Sequence, residues 1–256
     1  MTRTPKLGKL AARHDGRTLR LSSYLASPAR PVWAPAVCGY QQKVTDGAGW
    51  PMMLNDQLGD CTIAAAGHQI EQWTTYAGKQ VIPTDAQILS AYSAVGGYVP
   101  GDSSTDNGCV VLDVLNYWRQ VGIAGHKIAA YVSVNPLILS EVKIALDLFG
   151  SVYMGVQLPL TAQGASQWNV VLADFADAAA EPGSWGGHAI PMVSYGPNAH
   201  VVTWGELLLV TWPFISIYCD EMYAVLSQDW IDSALGSAPS GFNFGQLQSD
   251  LKLVTA

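Results

Sequence analysis

Apolar positions recur at helical spacing in the first half of the chain and crowd into short runs in the second. Ile63, Ala66, Ile70 and Trp73 or Thr74 share one face of a small-residue helix over 63–76. Thr84 stands where it would cap a second helix over 85–93, and Leu112 to Val121 reads as an amphipathic helix closed by Gly122. Between them Gly96, Gly97 and the stretch from Gly101 to Gly108 make a long surface loop. Val132 to Val134 reads as a short strand, and Ser140 as the cap of a helix over 141–149 that Gly150 stops. Val152 to Leu158 is a strong strand, followed by a variable stretch over 161–183. His188 to Tyr195 and His200 to Trp204 read as strands joined at the turn sequence Gly196-Pro197-Asn198. Residues 206–225 read as a continuation of the sheet, and 229 onward as a tail of short elements. Helices early and strands late make an α+β arrangement, a helical lobe set against a β-rich lobe.

The 256 residues suffice for one large domain with two lobes, nearly half of them are apolar, and only 13% are charged. We read residues 1–256 as one domain: an arm to about residue 50, a helical lobe over about 51–130 and a β-rich lobe over about 131–256. The arm begins basic, with Arg3, Lys6, Lys9, Arg13, Arg17 and Arg20, and continues through Pro28, Pro31 and Pro35, which keep it extended. It is expected to wrap the globular body, anchored by Leu19, Leu21 and Leu25; a retained propeptide that blocks a cleft is the sharper alternative.

A net charge of −7, with few basic residues beyond the arm, argues against a nucleic-acid partner and favours neutral or basic ones. No run reaches the roughly 18 apolar residues of a membrane helix, and the arm lacks the apolar core of a secretory signal. No membrane partner is therefore expected, and a cytoplasmic location is, with export without a signal or packaging in a virion as alternatives. Cys38, Cys61, Cys109 and Cys219 show no C-x-x-C spacing, so neither a metal nor a cofactor is expected.

The chemistry centres on Leu54 to Thr62. Asp60 is positioned to cap the first helix and accept from its free N–H groups, and Cys61 falls in the first turn, where a thiol ionises most easily. Asn55 or Gln57 would add a side-chain N–H, completing a nucleophile with an oxyanion hole. A free cysteine is more often simply a small buried hydrophobe. What favours the reactive reading is His188, over a hundred residues downstream, since thiol hydrolases bring such a pair together only in the fold. His68 lies seven residues along the same helix, about 10 Å away, too far for a base.

These segments resemble the papain-like (C1) cysteine peptidases of bacterial or phage type. Leu58-Gly59-Asp60-Cys61-Thr62 is similar to that family's nucleophile segment, and Gly187-His188-Ala189-Ile190 through Tyr195-Gly196 to its histidine strand. Asn107-Gly108-Cys109, followed by Leu112, Leu115 and Tyr117, is similar to its Gly-Cys segment and next helix. Val202-Thr203-Trp204-Gly205 stands where the family has Asn-Ser-Trp-Gly. The likeness covers roughly 45–230, in order. It implies the two-lobe papain-like fold, with the nucleophile helix on a helical left lobe and the histidine on a β-rich right lobe. It further implies Cys61 as nucleophile, His188 as general acid and base, Asn55 or Gln57 as oxyanion donor, and a peptide or protein substrate. In secreted members a cysteine three residues before the nucleophile bridges to the Gly-Cys segment; that place is Leu58, which leaves Cys109 unpartnered, as suits a reducing compartment. Cys38 and Cys109 are the remaining candidates for a bridge.

Two departures stand out. The family asparagine that orients the histidine aligns with Val202, which forms no side-chain hydrogen bond. Thr203 would serve only if the register slipped by one, and strand alternation would then turn it away from the face Val202 occupies. His188 is accordingly expected to be held by packing against Trp204, which by the resemblance shields it from water, and any activity to be slow. Asp60 replaces a serine, and an anion beside Cys61 would raise the thiol's pKa. Two functions follow: a thiol hydrolase of peptide or isopeptide bonds, or an inactive papain-like module that binds an assembly partner, such as an accessory protein of a phage or secretion particle.

Overall fold

The computed structural model describes residues 5–25, 34–170 and 177–230, with 245, 246, 249, 250 and 253 beyond them. Arg3, Pro28 and Pro31 of the arm, part of the variable stretch and most of the expected tail lie outside the described residues.

The helical lobe is built around α2 (Cys61–Tyr76), against which α1 (Gln42–Thr45), α3 (Asp85–Gly96) and α4 (Val111–Gln120) pack. From Cys61 to Thr74 every residue of α2 is buried, its polar face included. Its small residues allow this: a methyl on Gly67 would overlap the Met53 sulfur and crowd Ile88. The polar face is matched by partners at the end of α5 (Leu139–Phe149) and the residues after it. Gln69 Nε2 donates to Ser151 Oγ at 2.7 Å, Gln72 Nε2 to the Gly150 carbonyl at 2.7 Å and Trp73 Nε1 to the Phe149 carbonyl at 2.9 Å. Trp73 also stacks on Trp118 of α4. Thr84 forms the expected cap, its hydroxyl accepting from the Gln87 amide while the Gln87 side chain accepts from the Thr84 amide. α5 begins one residue before Ser140, and Gly150 ends it in the left-handed conformation.

The β-rich lobe holds a sheet in the order β2 (Ile128–Ser133), β8 (Cys219–Ser227), β3 (Val152–Leu158), β5 (Gly186–Tyr195), β6 (Ala199–Thr203), β7 (Glu206–Val210), β4 (Gln167–Trp168), and β1 (Cys38–Gly39) also pairs with β5. The pairings are antiparallel except β4 with β7. The expected continuous sheet over 206–225 is interrupted by helix α6 (Trp212–Tyr218). Pro213 explains the break: it has no N–H for a ladder but suits the first turn of a helix, and Phe214, Ile215 and Tyr218 then face the core. Leu21 is buried against this core, with Leu19 and Leu25 packed beside it. Cys38, Cys61, Cys109 and Cys219 are all free thiols, so the Cys38–Cys109 bridge is not formed. Among the described residues no helix is long and apolar enough to cross a membrane.

Burial in α2 has a measurable consequence at Glu71. Desolvation raises its pKa from the ordinary 4.5 to about 8, with the Gln80 amide only partly opposing the shift. The folded state holds this proton through a range in which the unfolded chain has lost it, so the contribution is full below pH 4.5 and is lost as pH rises to 8. Glu71→Gln should therefore gain stability relative to the parent as pH increases from 5 to 8.5, measured as the shift in denaturant midpoint at each pH. An unchanged difference across that range would rule the account out.

Candidate active site

Cys61 opens α2 and is buried. Burial is the main reason its thiol pKa is pushed up to about 12, with a smaller upward push from Asp60; the Ala189 and Gly8 amides work against it. The expectation of a readily ionised thiol at the helix start is thus reversed in this state, because desolvation outweighs the dipole and the nearby N–H groups. Asp60 differs from expectation too. Its carboxyl makes no cap hydrogen bond; Oδ1 accepts from Asn55 Nδ2 at 3.2 Å, and burial pushes its pKa well above the carboxylate range. Burial thus disfavours the Asp60 carboxylate, and whatever charge it carries pushes the neighbouring thiol further up.

His188 lies on β5, next to the Ala189 whose amide approaches the sulfur. Its Nε2 is 2.8 Å from Thr203 Oγ1, its Nδ1 is buried without a partner among the described residues, and burial lowers its pKa to about 3. The bond to Thr203 corrects the expectation that packing alone holds the ring. The pleat decides it: Val202 points the other way, into a cluster with Val44, Trp50 and Val193, and Thr203 takes the face that His188 shares. Trp204 stacks on the imidazole with ring centres 4.4 Å apart and planes within 13°, and Trp168 closes the edge. Trp204 and Gly205 form the two-residue turn between β6 and β7, both with positive φ. A tryptophan in that conformation costs about 1–3 kcal/mol, so its stacking on His188 is held against local preference.

Gln57 is exposed and none of the hydrogen bonds described here involves its side chain, whereas Asn55 is buried and its side chain meets the arm. Its Nδ2 lies 3.4 Å from the carbonyl of Lys6, to which Trp204 Nε1 also donates at 3.1 Å. Lys6 belongs to the arm. Residues 5–10 run through the cleft, tied to the helical lobe by Lys6 N–H to the Asn55 carbonyl, Cys109 N–H to the Gly8 carbonyl and Leu10 N–H to the Cys109 carbonyl. On the other side Lys9 N–H donates to the Gly187 carbonyl at 3.1 Å. The passage is walled by glycines: a methyl on Gly8 would overlap the Gly59 carbonyl, one on Gly108 the Gly8 carbonyl, and one on Gly187 the Lys9 carbonyl. Asp106 holds this wall, accepting from the Gly59 amide and from Tyr92 Oη, which in turn accepts from the Gly108 amide. Past Pro5 the cleft opens into a groove of about 530 Å³ lined by Trp168, Trp185, Trp204 and Glu206.

The arm thus brings the Gly8 amide to the sulfur, and burial disfavours the charged form of both the thiol and the imidazole beneath it. His68 is removed from the site, its Nε2 2.8 Å from the Pro51 carbonyl, and His200 pairs with Ser194. Sequence reasoning did not identify Lys6, Gly8 and Lys9 as cleft residues; the one signal was the alternative of a blocking arm.

No protein-family model and no curated protein matches the chain. Solved structures do. Xylellain, a cysteine protease from Xylella fastidiosa, is similar at a TM-score of 0.64 and 14% identity, over 88% of this chain and 97% of its own. Procathepsin B S9 from Trypanosoma congolense is similar at 0.58 and 12%, over 87% of each chain. A recombinant stem bromelain precursor is similar at 0.54 and 14%, over 88% of this chain and 78% of its own. With Cys61 heading the central helix of one lobe and His188 on the sheet of the other, the chain has the α+β, two-lobe fold of the papain-like cysteine proteases.

Proposed function

We propose that this chain is a thiol hydrolase of peptide or isopeptide bonds, with Cys61 as nucleophile and His188 as general acid and base. The observation that carries the reading is the state of His188: one ring nitrogen is bonded to Thr203, and the other is buried and unpartnered beside the strand amide that approaches Cys61. Thr203 holds the ring plane from the side away from Nδ1, the place of the third group in a triad. Asn55 Nδ2 and the first-turn amides of α2 supply donors for an oxyanion.

In this reading Cys61 transfers its proton to Nδ1 of His188, and the sulfur adds to the substrate carbonyl carbon, whose oxygen takes up the negative charge. Collapse breaks the C–N bond; the amine leaves with the proton from Nδ1, and an acyl thioester remains on Cys61. Water then attacks the thioester with Nδ1 as base, releasing the acid and restoring the thiol. None of this proceeds while residues 5–10 fill the cleft, so the described state is a resting one. A substrate entering in place of the arm brings water and polar groups to Cys61 and His188, which relaxes the desolvation that holds both neutral. The same occupied cleft also favours the second reading, an inactive module.

Two predictions separate these readings. In the intact chain Cys61 should resist iodoacetamide near neutral pH, because a thiol with a pKa of about 12 is almost wholly protonated. Gly8→Ala, which cannot fit against the Gly59 carbonyl, should expel the arm and speed Cys61 labelling at least about tenfold, read by mass spectrometry. Unchanged labelling would mean that the arm does not guard the thiol.

In the Gly8→Ala background, Asn55→Ala should lower turnover on a peptide library about a hundredfold. Thr203→Val should lower it about tenfold or more, with a shifted pH profile, and Cys61→Ala should abolish it. Efficient labelling of Cys61 with no hydrolysis of any peptide would decide for the binding module.

A further inference from the structure

Lys9 enters the protein at a place built for it. Its side chain leaves the cleft from the residue next to Gly8, the one whose amide approaches Cys61, and is fully buried between β3 and β8. Nζ donates to Asp220 Oδ2 at 2.8 Å and to the carbonyl of Leu10 at 3.2 Å, and it forms an ion pair with Glu221 Oε1 at 3.2 Å. Two neighbouring strand residues ordinarily point to opposite faces. Here Gly155 pairs with Glu221 and Val156 with Cys219, so Asp220 is the extra residue of a bulge, and both carboxylates turn to one ammonium. Gly155 makes the slot, since a methyl there would overlap the Lys9 stem.

Each carboxylate also has a partner apart from Lys9. Gln157 Nε2 donates to Asp220 Oδ2 at 2.7 Å, and Tyr223 Oη to Glu221 Oε2 at 3.1 Å. The acidic pair therefore keeps its orientation when the lysine leaves. A bulge, a missing side chain and two preset carboxylates around one removable side chain describe a receptor more than a packing contact.

We propose that this slot is the specificity pocket of the cleft, selecting a lysine adjacent to the residue whose carbonyl is attacked, and that Lys9 occupies it in the resting state. The inference deepens the hydrolase reading and rests on it for the word substrate, while the pocket itself is testable without catalysis. A neutral side chain of equal length would leave the buried Glu221 and the partly buried Asp220 without their cation, and losing such a charge-assisted contact sets a discrimination on the order of tenfold to a hundredfold.

The test uses the full chain carrying Cys61→Ala to prevent turnover, with Gly8→Ala and Lys9→Ala to free the cleft. Fluorescent hexapeptides of the arm sequence, Pro-Lys-Leu-Gly-Lys-Leu, are titrated by anisotropy with lysine, norleucine or glutamate at the fifth position. The lysine peptide should bind at least about tenfold more tightly than the norleucine peptide, and the glutamate peptide most weakly. Adding Glu221→Gln or Asp220→Asn should remove most of that difference, and the peptide series stands by itself if either variant fails to fold. Equal affinity for lysine and norleucine, binding of neither, or a lysine advantage that survives both substitutions would overturn the proposal. With the Cys61 thiol restored, lysine-selective binding without hydrolysis would count against the catalytic reading and leave the pocket standing; hydrolysis indifferent to lysine would do the reverse.

Discussion

The burial of α2 along almost its whole length is the constraint on which the rest of the site depends. A helix buried on all sides must satisfy its polar residues inside the protein, and Gln69, Gln72 and Trp73 do so through Ser151, Gly150 and Phe149. Those three residues sit where α5 ends and β3 begins. The same contacts that pay for burying the polar face therefore fix the helix against the sheet, and with it the position of Cys61 relative to His188 on β5. Tyr153 adds a bond from β3 to the carbonyl of Thr62, one residue past the nucleophile.

Desolvation then governs the electrostatics of the closed cleft. It raises the Cys61 thiol to about 12, lowers His188 to about 3 and pushes Asp60 well above its ordinary value, so it opposes the charged form of all three groups. Lys9 differs because it meets two carboxylates where it is buried. An isolated ammonium in that place would cost several kcal/mol, and the bulge at Asp220 offsets this by supplying a second acceptor. Charge is thus concentrated in the slot and excluded from the sulfur one residue away.

The arm explains why so many walls of the cleft are glycine. Gly108 and Gly187 come close enough to the Gly8 and Lys9 backbone that side chains would collide, one on Gly59 would press on the Leu7 carbonyl, and ladder-like hydrogen bonds on both sides replace side-chain packing. Trp204 spans the two halves of the arrangement. It covers the imidazole with its ring face and donates its ring N–H to the arm, which accounts for holding a large residue in the left-handed conformation.

Much of the fold was legible in local patterns. The helical period after Cys61, the Thr84 cap, the Gly150 stop and the strand runs around His188 are set by neighbours within a few residues, and the structure has them where the pattern puts them. Pro213 was the local signal for α6, masked by the apolar run around it. The order of motifs likewise carried the two-lobe fold. What sequence left open depended on contacts between distant segments. Whether Val202 or Thr203 faces His188 turns on one residue of register between β5, β6 and β7, and the motif alignment chose the wrong one. Whether a helix-start thiol ionises depends on how much water the folded arm leaves at it. Whether Lys9 is a surface charge or a buried one depends on two carboxylates more than two hundred residues away. Periodicity and capping act along the chain and are written in it, whereas burial, register and charge pairing come into being only when the lobes and the arm close on one another.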